Sequence, residues 1–217
     1  MKRQRLGVST GGGRGSGSRD AILEAAERVF ADAGLAGART DAIARAAGVN
    51  KALLYYYFKS KDALYFAVLE NHMKEFNRRG LEVLKRPGSP RHTLLEYVGM
   101  HFDFVSSRPN YPRLFHRLVI SGGGKLERLA AKYFQPVRRR LIRIIERGVQ
   151  TGELRRVECR QAAVSIVGLA VFNFVAAPVV RKVTNVDPYS KVHLAQRKKE
   201  ILDLVRYGLF RKPEDRF

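Results

Sequence analysis

Cysteine is almost absent from this chain of 217 residues. The single residue Cys159 cannot close an internal disulfide and cannot by itself supply a cysteine-based metal site. A run of about 7–15 apolar residues after the basic N-terminus is also missing, so no secretory signal is predicted. These absences exclude a disulfide-stapled secreted scaffold and favour a cytoplasmic protein.

Catalytic sequence patterns are missing as well. The chain has no Gly-x-Ser-x-Gly nucleophile elbow and no His-Glu-x-x-His motif. The glycine-rich residues 11–18 and 122–124 lack the strand and the closing Gly-Lys-Ser/Thr of a phosphate-binding loop. We therefore expect no enzyme activity, no cofactor and no metal. One alternative remains open, a metal site formed by His72, His101 and His116 on successive predicted helices.

Acidic residues are scarce compared with basic ones. Lys and Arg total 41 and Asp and Glu total 20, so the formal net charge is +21. Such an excess favours a polyanionic partner, because Lys and Arg that neutralise phosphates release counterions. The charge does not locate a site, since residues 1–60 carry a net charge of +5 and residues 61–217 carry +16. A non-specific nucleic-acid binder is therefore one alternative function.

Sustained alternation of apolar and polar residues, which is typical of strands, is also absent. Apolar residues make up 45% of the chain, and from Asp20 they recur at helical spacing. We predict an all-α fold of about nine helices. Residues 1–18 contain six glycines and few apolar side chains, so they are predicted to form a disordered basic arm. Residues 19–64 form a predicted three-helix domain, and residues 65–217 form a second helical domain.

The three-helix domain contains two short predicted helices separated by a glycine-containing turn. Thr40 is the predicted N-cap of the first helix, and Gly48 is predicted to end it. Asn50 is the predicted N-cap of the next helix, residues 51–58, and Ser60 that of the helix after it. Two short helices joined by a turn of about four residues are a helix-turn-helix arrangement. The sequence therefore predicts a DNA-reading element.

The segment from Thr40 to Leu64 resembles the DNA-binding segment of TetR-type (TetR/AcrR) transcriptional regulators. The shared residues are a Thr, an Ile-Ala pair, Ala-Gly-Val, Leu-Tyr-x-x-Phe, and a Lys before an acidic residue and a Leu. The resemblance implies a homodimeric repressor that binds a pseudo-palindromic double-stranded DNA operator and is released by a small-molecule effector. It also implies that the subunits pair through helices at about residues 158–180 and 193–209.

The resemblance and the chemistry of the side chains together predict the DNA contacts. Lys51 is suited to donate to guanine, and Ala52 and Leu53 to contact thymine methyl groups. Tyr55 and Tyr56 offer hydroxyls to phosphates or bases. The complete predicted DNA-binding set is Arg39, Thr40, Arg45, Asn50, Lys51, Ala52, Leu53, Tyr55, Tyr56, Lys59 and Lys61.

Two positions depart from the family pattern. Asp41 stands where some relatives carry a base-reading Arg, and Tyr57 stands where a His is usual. Asp41 is suited to complement the helix dipole or to accept from a cytosine amino group. The operator sequence of a relative therefore cannot be transferred to this chain.

A ligand pocket in residues 65–217 is implied by the resemblance. The candidate lining residues are His72, Met73, Phe76, Phe102, Tyr111, Phe115, Phe172 and Phe174. The alternative is that most of them are ordinary core residues. The basic run at Arg138, Arg139 and Arg140 is typical of a solvated face, and it would also favour an anionic effector.

The uncharged stretch at residues 162–180 has nearly the length of a bilayer-spanning helix. A membrane-anchored helical protein is therefore a further alternative function. Ser165, Asn173 and Pro178, together with several Gly and Ala residues, make the stretch less apolar than a typical span. We predict instead that it is buried in a dimer interface, with no membrane partner.

Overall fold

A computed structural model describes residues 13–121 and 123–211 of the chain. Within these residues the predicted all-α class is confirmed, and the one β pairing is a single bridge between Leu154 and Phe210. The helices are α1 (Gly13–Gly37), α2 (Thr40–Ala46), α3 (Lys51–Phe58), α4 (Lys61–Lys85), α5 (Pro90–Ser106), α6 (Asn110–Ser121), α7 (Gly124–Leu129), α8 (Gln135–Gln150), α9 (Cys159–Val175), α10 (Ala177–Thr184) and α11 (Lys191–Leu209).

The N-terminal end of α1 differs from the predicted arm. Residues 1–12 lie outside the described residues, but α1 begins at Gly13, six residues before the predicted domain start. Once the buried part of α1 has formed, each further residue at its end adds one backbone hydrogen bond. Glycine residues can also form this bond, so the helix can extend into the glycine-rich segment. Gly34 has φ 70° and ψ 178°, so the regular helix is interrupted at this residue.

The chain divides into two compact units between Val68 and Leu69. In the first unit, α1, α2 and α3 contact one another around a small apolar core. The rings of Phe30 and Tyr65 meet edge to face with centroids 5.1 Å apart. The other fully buried side chains of this core are Ile22, Ala25, Ala26, Ile43, Leu54 and Leu64.

Helix α5 is the central element of the second unit, where it contacts α8, α9 and α11. Its side chains are buried on most sides, as Tyr97, Val98, Phe102 and Phe104 show. Ser89 caps its N-terminus by accepting from the backbone N–H of His92 at 3.2 Å. The sequence of α5 is accordingly apolar almost all round, as expected for a core helix.

The C-terminal end of α11 is fastened to the loop between α8 and α9. The backbone N–H of Arg155 donates to the Leu209 carbonyl at 2.9 Å, and that of Arg211 to the Glu153 carbonyl at 3.1 Å. The guanidinium of Arg91 lies 4.9 Å from the centroid of the Phe210 ring. We call these contacts the C-terminal clasp.

Two long helical stretches of the second unit are divided in the structure. The stretch from Gly124 to Gln150 consists of α7, a π-helical turn at Ala130–Phe134, and α8. Pro136 lies in the first turn of α8, where its missing N–H is tolerated. The predicted helix 158–180 is divided into α9 and α10, with a proline again in the first turn of the second helix. These divisions account for the difference between the predicted count of about nine helices and the eleven α-helices of the described residues.

Among the residues that the structure describes, no single helix is both long and apolar enough to cross a membrane. Helices α9 and α10 meet those limits only when taken together, and they are bent by 70°.

Gly148 provides a test of the packing between α8 and the C-terminal clasp. A Cβ at this position would meet the side chain of Leu154 and lie 3.1 Å from the Cβ of Pro90. Gly148→Ala should therefore lower the midpoint of thermal unfolding by a few degrees, because overpacking costs about 1–3 kcal/mol. Gly99→Ala is the matched control, since its Cβ meets only the end of Lys198 at 3.6 Å. Equal midpoints for both variants would contradict this packing.

Candidate functional site

The turn between α2 and α3 sets where the second of these helices begins. Gly48 has φ 67°, a left-handed conformation that side-chain-bearing residues rarely adopt. Asn50 then has extended backbone, and its side-chain oxygen accepts from the Leu53 N–H at 2.8 Å. The predicted N-cap role of Asn50 is therefore confirmed. This cap occupies the Asn50 side-chain oxygen that the sequence also offered to DNA.

The cap of α2 is different from the prediction. Arg39 has the extended N-cap backbone, with φ −102° and ψ 127°, and its side chain makes no cap hydrogen bond. Thr40 is the first helical residue, and its hydroxyl lies 3.4 Å from the Tyr55 hydroxyl. The N-cap assigned to Thr40 was thus wrong by one residue, because the helix starts where the backbone turns and not where the best cap residue stands.

Helix α3 separates a buried edge from an exposed face. Leu54 and Phe58 are buried, four residues apart, as expected for core residues on one side of a helix. The opposite face exposes a run of polar and aromatic side chains, with Tyr56 69% accessible. The Lys59 ammonium lies 5.6 Å from the centroid of the Tyr56 ring. The exposed members of the predicted DNA-binding set on α3 and at its C-cap are Lys51, Ala52, Tyr55, Tyr56 and Lys59, whereas Leu53 is half-buried.

An ion pair connects α2 to the start of α3. The Lys51 ammonium lies 2.9 Å from a carboxylate oxygen of Asp41, and both side chains are about half exposed. This hydrogen bond lowers the pKa of Asp41 and raises the pKa of Lys51. Asp41, which departs from the family pattern, thus has a partner on α3, and its carboxylate balances the charge of the lysine predicted to read guanine.

Lys61 has a structural partner that the sequence did not predict. Its ammonium donates to the carbonyl oxygens of Ala36 at 3.2 Å and Ala38 at 3.1 Å, at the end of α1. These are carbonyls that a helix end leaves without an intrahelical partner. The predicted DNA contact of Lys61 stays a prediction, and Arg39 and Arg45, at the start and on the surface of α2, are exposed.

The second unit contains a cavity of about 320 Å³ that helices α4, α5, α6, α8 and α9 and the π-helical turn help to line. Its walls are mainly apolar and aromatic, which is typical of small-molecule sites. The lining consists of Phe76, Tyr97, His101, Val105, Tyr111, Pro112, Phe115, Phe134, Val137, Arg138, Leu141, Ala163, Val164, Val167 and Val171.

Three of the eight predicted pocket residues line this cavity: Phe76, Tyr111 and Phe115. The other five lie outside the lining. Met73, Phe102 and Phe174 are buried in packed interior, where the rings of Phe102 and Phe174 lie 5.2 Å apart. Phe172 is exposed on α9, and the ring of His72 lies 5.0 Å from that of Tyr111. Aromatic character alone cannot separate cavity walls from core, because both are apolar.

Sequence reasoning missed the α5 wall of the cavity. Tyr97, His101 and Val105 are spaced by four residues and form one stripe of that helix. A histidine inside an otherwise apolar stripe was the available signal. His101 is buried, its Nδ1 has no hydrogen-bond partner among the described residues, and burial lowers its pKa to about 4.

The alternative histidine metal site receives no support. Among the described residues, no three His, Cys, Asp or Glu side chains are arranged to hold a metal ion. His101 instead packs against the ring of Phe76, with centroids 4.6 Å apart, while His72 packs against Tyr111.

A capped turn, an exposed second helix and a helical unit with an internal cavity together define a helix-turn-helix transcription regulator. Residues 22–68 match the family described as "Bacterial regulatory proteins, tetR family", and residues 90–205 match "Tetracyclin repressor-like, C-terminal domain". The second match alone covers more than half of the chain. The chain therefore belongs to the TetR family.

Relatives of known name agree with this assignment. The transcriptional repressor NicS of Pseudomonas putida is 34% identical over 94 residues, which are 43% of this chain and 44% of NicS. The regulator RutR of Escherichia coli is 35% identical over 107 residues, 49% of this chain and 50% of RutR. These alignments span about half the length of each relative.

A solved structure extends the similarity to the whole fold. The crystal structure of FadR from Bacillus subtilis in complex with stearoyl-CoA matches with a TM-score of 0.69 and 22% identity. The match covers 87% of this chain and 98% of FadR. At this identity the comparison shows a shared fold.

The Lys61 contacts predict a stability effect. Lys61→Met keeps most of the side-chain stem but removes two charge-assisted hydrogen bonds to the Ala36 and Ala38 carbonyls. We expect a loss of about 1–2 kcal/mol in the free energy of unfolding of the first unit, measured by chemical denaturation. Lys59→Met is the control, because Lys59 is exposed, and it should cost less than about 0.5 kcal/mol. Similar losses in both variants would remove this role from Lys61.

The buried His101 predicts a pH dependence of stability. The unfolded chain binds a proton on this residue below pH 6.5, whereas the folded chain does so only near pH 4, so acidification favours unfolding. Between about pH 7 and about pH 5 the natural chain should lose about 2 kcal/mol more stability than His101→Phe. Denaturant titrations at both pH values measure this difference, and identical pH profiles would refute the neutral buried state of His101.

Proposed function

We propose that this chain is a sequence-specific DNA-binding repressor that acts as a homodimer and is released from its operator by a small molecule. The observation that carries the proposal is the short capped helix α3, which buries Leu54 and Phe58 and exposes Lys51, Tyr55 and Tyr56. A recognition helix of this kind presents its N-terminal side chains to base edges in the major groove. The relationship to NicS and RutR supports the same function.

The remaining exposed residues of the proposed interface contact the phosphates of the DNA backbone. Arg39, Arg45 and Lys59 are exposed around α2 and α3, as phosphate contacts require. Tyr55 is held near the Thr40 hydroxyl, so its own hydroxyl is positioned before DNA arrives. Phosphate contacts fix the register of α3, and contacts from its first turn select the sequence.

Dimerisation is supported by apolar side chains left exposed on the last three helices. Phe172 on α9, Val183 on α10, and Val192, Leu204 and Tyr207 on α11 are each more than half accessible in the single chain. Large exposed apolar patches mark interfaces. A two-fold dimer presents two α3 helices to half-sites about 34 Å apart, which is the spacing of successive major grooves.

Release by a ligand follows from the cavity. A small molecule that binds more tightly to the conformation that no longer fits the operator shifts the population toward that conformation. The relationship to FadR, whose structure contains stearoyl-CoA, supports a ligand role for the helical unit of this chain. The cavity of about 320 Å³ is within the range of small-molecule sites.

The reading role of α3 is tested by operator binding. DNA flanking the gene is screened for a pseudo-palindromic site, and affinity is measured by fluorescence anisotropy against random DNA as competitor. Tyr56→Phe and Lys51→Ala should each weaken specific binding about fivefold to 150-fold, because a lost base or phosphate contact costs about 1–3 kcal/mol. Lys74→Ala, an exposed lysine of α4, is the control for charge alone. Equal affinity for operator and random DNA would instead favour non-specific binding through the net charge of +21.

The Asp41–Lys51 ion pair gives a second, opposite prediction for DNA binding. Asp41→Asn removes a negative charge facing the phosphates and frees the Lys51 ammonium. We expect tighter binding to random DNA, by about threefold to tenfold at low salt, and a smaller ratio of specific to non-specific affinity. If both affinities stayed unchanged, the ion pair would have no part in DNA recognition.

The dimer surface is tested with charge substitutions. Phe172→Glu and Leu204→Glu should shift the chain toward a monomer in light scattering, because a carboxylate placed in an apolar interface is desolvated without a partner. Ile120→Glu is the matched control, since Ile120 is equally exposed but lies on α6. A dimer unaffected by the first two variants would place the subunit contact elsewhere.

A further inference from the structure

The polar groups of the cavity in the second unit are few and unevenly placed. Most of its side chains are aromatic or aliphatic, and none of them is acidic. Two of them carry nitrogen atoms that can bond to a ligand, His101 on α5 and Arg138 on α8. The hydroxyls of Tyr97 and Tyr111 add two neutral hydrogen-bonding groups, and the rest of the wall offers ring faces and edges from residues such as Phe76, Phe115 and Phe134.

His101 is the buried polar contact. It is 5% accessible, and its Nδ1 has no partner among the described residues. A buried polar atom without a hydrogen bond is costly, so this nitrogen favours any ligand that brings an oxygen to it. Because burial lowers its pKa to about 4, the ring is neutral near pH 7 and cannot balance the charge of an anion.

Arg138 is the charged contact, and it lies where the cavity meets solvent. Arg138, Val164 and Val167 are the exposed members of the lining. Arg138 forms no salt bridge within the described residues, whereas Arg140 and Arg147 of the same helix donate to the carbonyls of Leu84 and Gly88. A guanidinium without a protein partner is suited to a carboxylate.

We propose that the cavity binds an aryl carboxylate with a second oxygen, its carboxylate paired with Arg138 and its second oxygen accepting a hydrogen bond from His101 in the tautomer that carries the proton on Nδ1. The aromatic wall favours an aryl group, because ring pairs add to the gain from apolar burial. A cationic ligand is disfavoured, since it would meet Arg138 and no carboxylate. This inference rests on the proposed function only in using the same cavity.

Isothermal titration of the full chain with four matched probes tests the ligand chemistry. Benzoylpropionate carries an aryl group, a ketone and a carboxylate, and phenylbutyrate lacks only the ketone. Phenylbutanol and phenylbutylamine replace the carboxylate of phenylbutyrate by a neutral and a cationic group. Benzoylpropionate should bind about fivefold to tenfold more tightly than phenylbutyrate, and phenylbutyrate at least about fivefold more tightly than the alcohol or the amine.

Two substitutions assign the contacts. Arg138→Gln should weaken benzoylpropionate about five- to tenfold and leave phenylbutanol unchanged. Arg139→Gln is the matched control, because Arg139 is the exposed neighbour that does not line the cavity. His101→Phe should make the affinities of benzoylpropionate and phenylbutyrate equal. Should that variant not fold, the preference of the natural chain between these two acids still tests the bond to His101.

The proposal is overturned if neither acid binds with a Kd below about 1 mM, or if the amine binds as tightly as phenylbutyrate. It is also overturned if Arg138→Gln and Arg139→Gln lose the same affinity, or if the ketone brings no gain in the natural chain. Operator release is measured separately by anisotropy. An acid that binds the cavity without changing operator affinity would show that occupancy of the cavity is not sufficient for release, and it would leave the ligand class intact.

Discussion

Helix α3 has only eight residues, and a helix of that length is not stable alone in water. Its existence depends on the burial of Leu54 and Phe58 in the first unit, and on the Asn50 side chain that caps its first turn. Because Leu54 and Phe58 are buried in the core, the opposite face of α3 must point away from it. The exposure of Lys51, Tyr55 and Tyr56 therefore follows from packing. The side chains available to contact DNA are therefore those of α3 that the core does not bury.

Much of this first unit is predictable from the sequence because its signals are local. Gly48 is needed for a left-handed turn, Asn50 for a cap, and the spacing of Leu54 and Phe58 for a buried edge. The partners of Lys51 and Lys61 were not predictable, because Asp41, Ala36 and Ala38 approach them only after α1, α2 and α4 have packed. Charged side chains at the surface have several possible partners, and the sequence does not choose among them.

The functional part of the second unit is less predictable from the sequence than that of the first. Its helical character is evident from periodicity, but the cavity depends on where large side chains fail to fill space, which no local pattern records. All four of the following residues are phenylalanines on helices of the same unit. The rings of Phe102 and Phe174 pack against each other, whereas Phe76 and Phe115 line the cavity. Breaks near Pro136 and Pro178 depend on how the freed backbone groups are satisfied, which is also a tertiary property.

The C-terminal clasp has a consequence for how much of the chain the second unit needs. Because Leu209 and Arg211 pair through their backbones with Arg155 and Glu153, the end of α11 and the residues directly after it close the loop between α8 and α9. Backbone pairing is independent of side-chain identity, so substitutions at these positions are tolerated better than deletions. Shortening the chain to end before Phe210 would open that loop and uncover Leu154. The backbone pairing of the second unit therefore extends beyond its last helix, to Arg211.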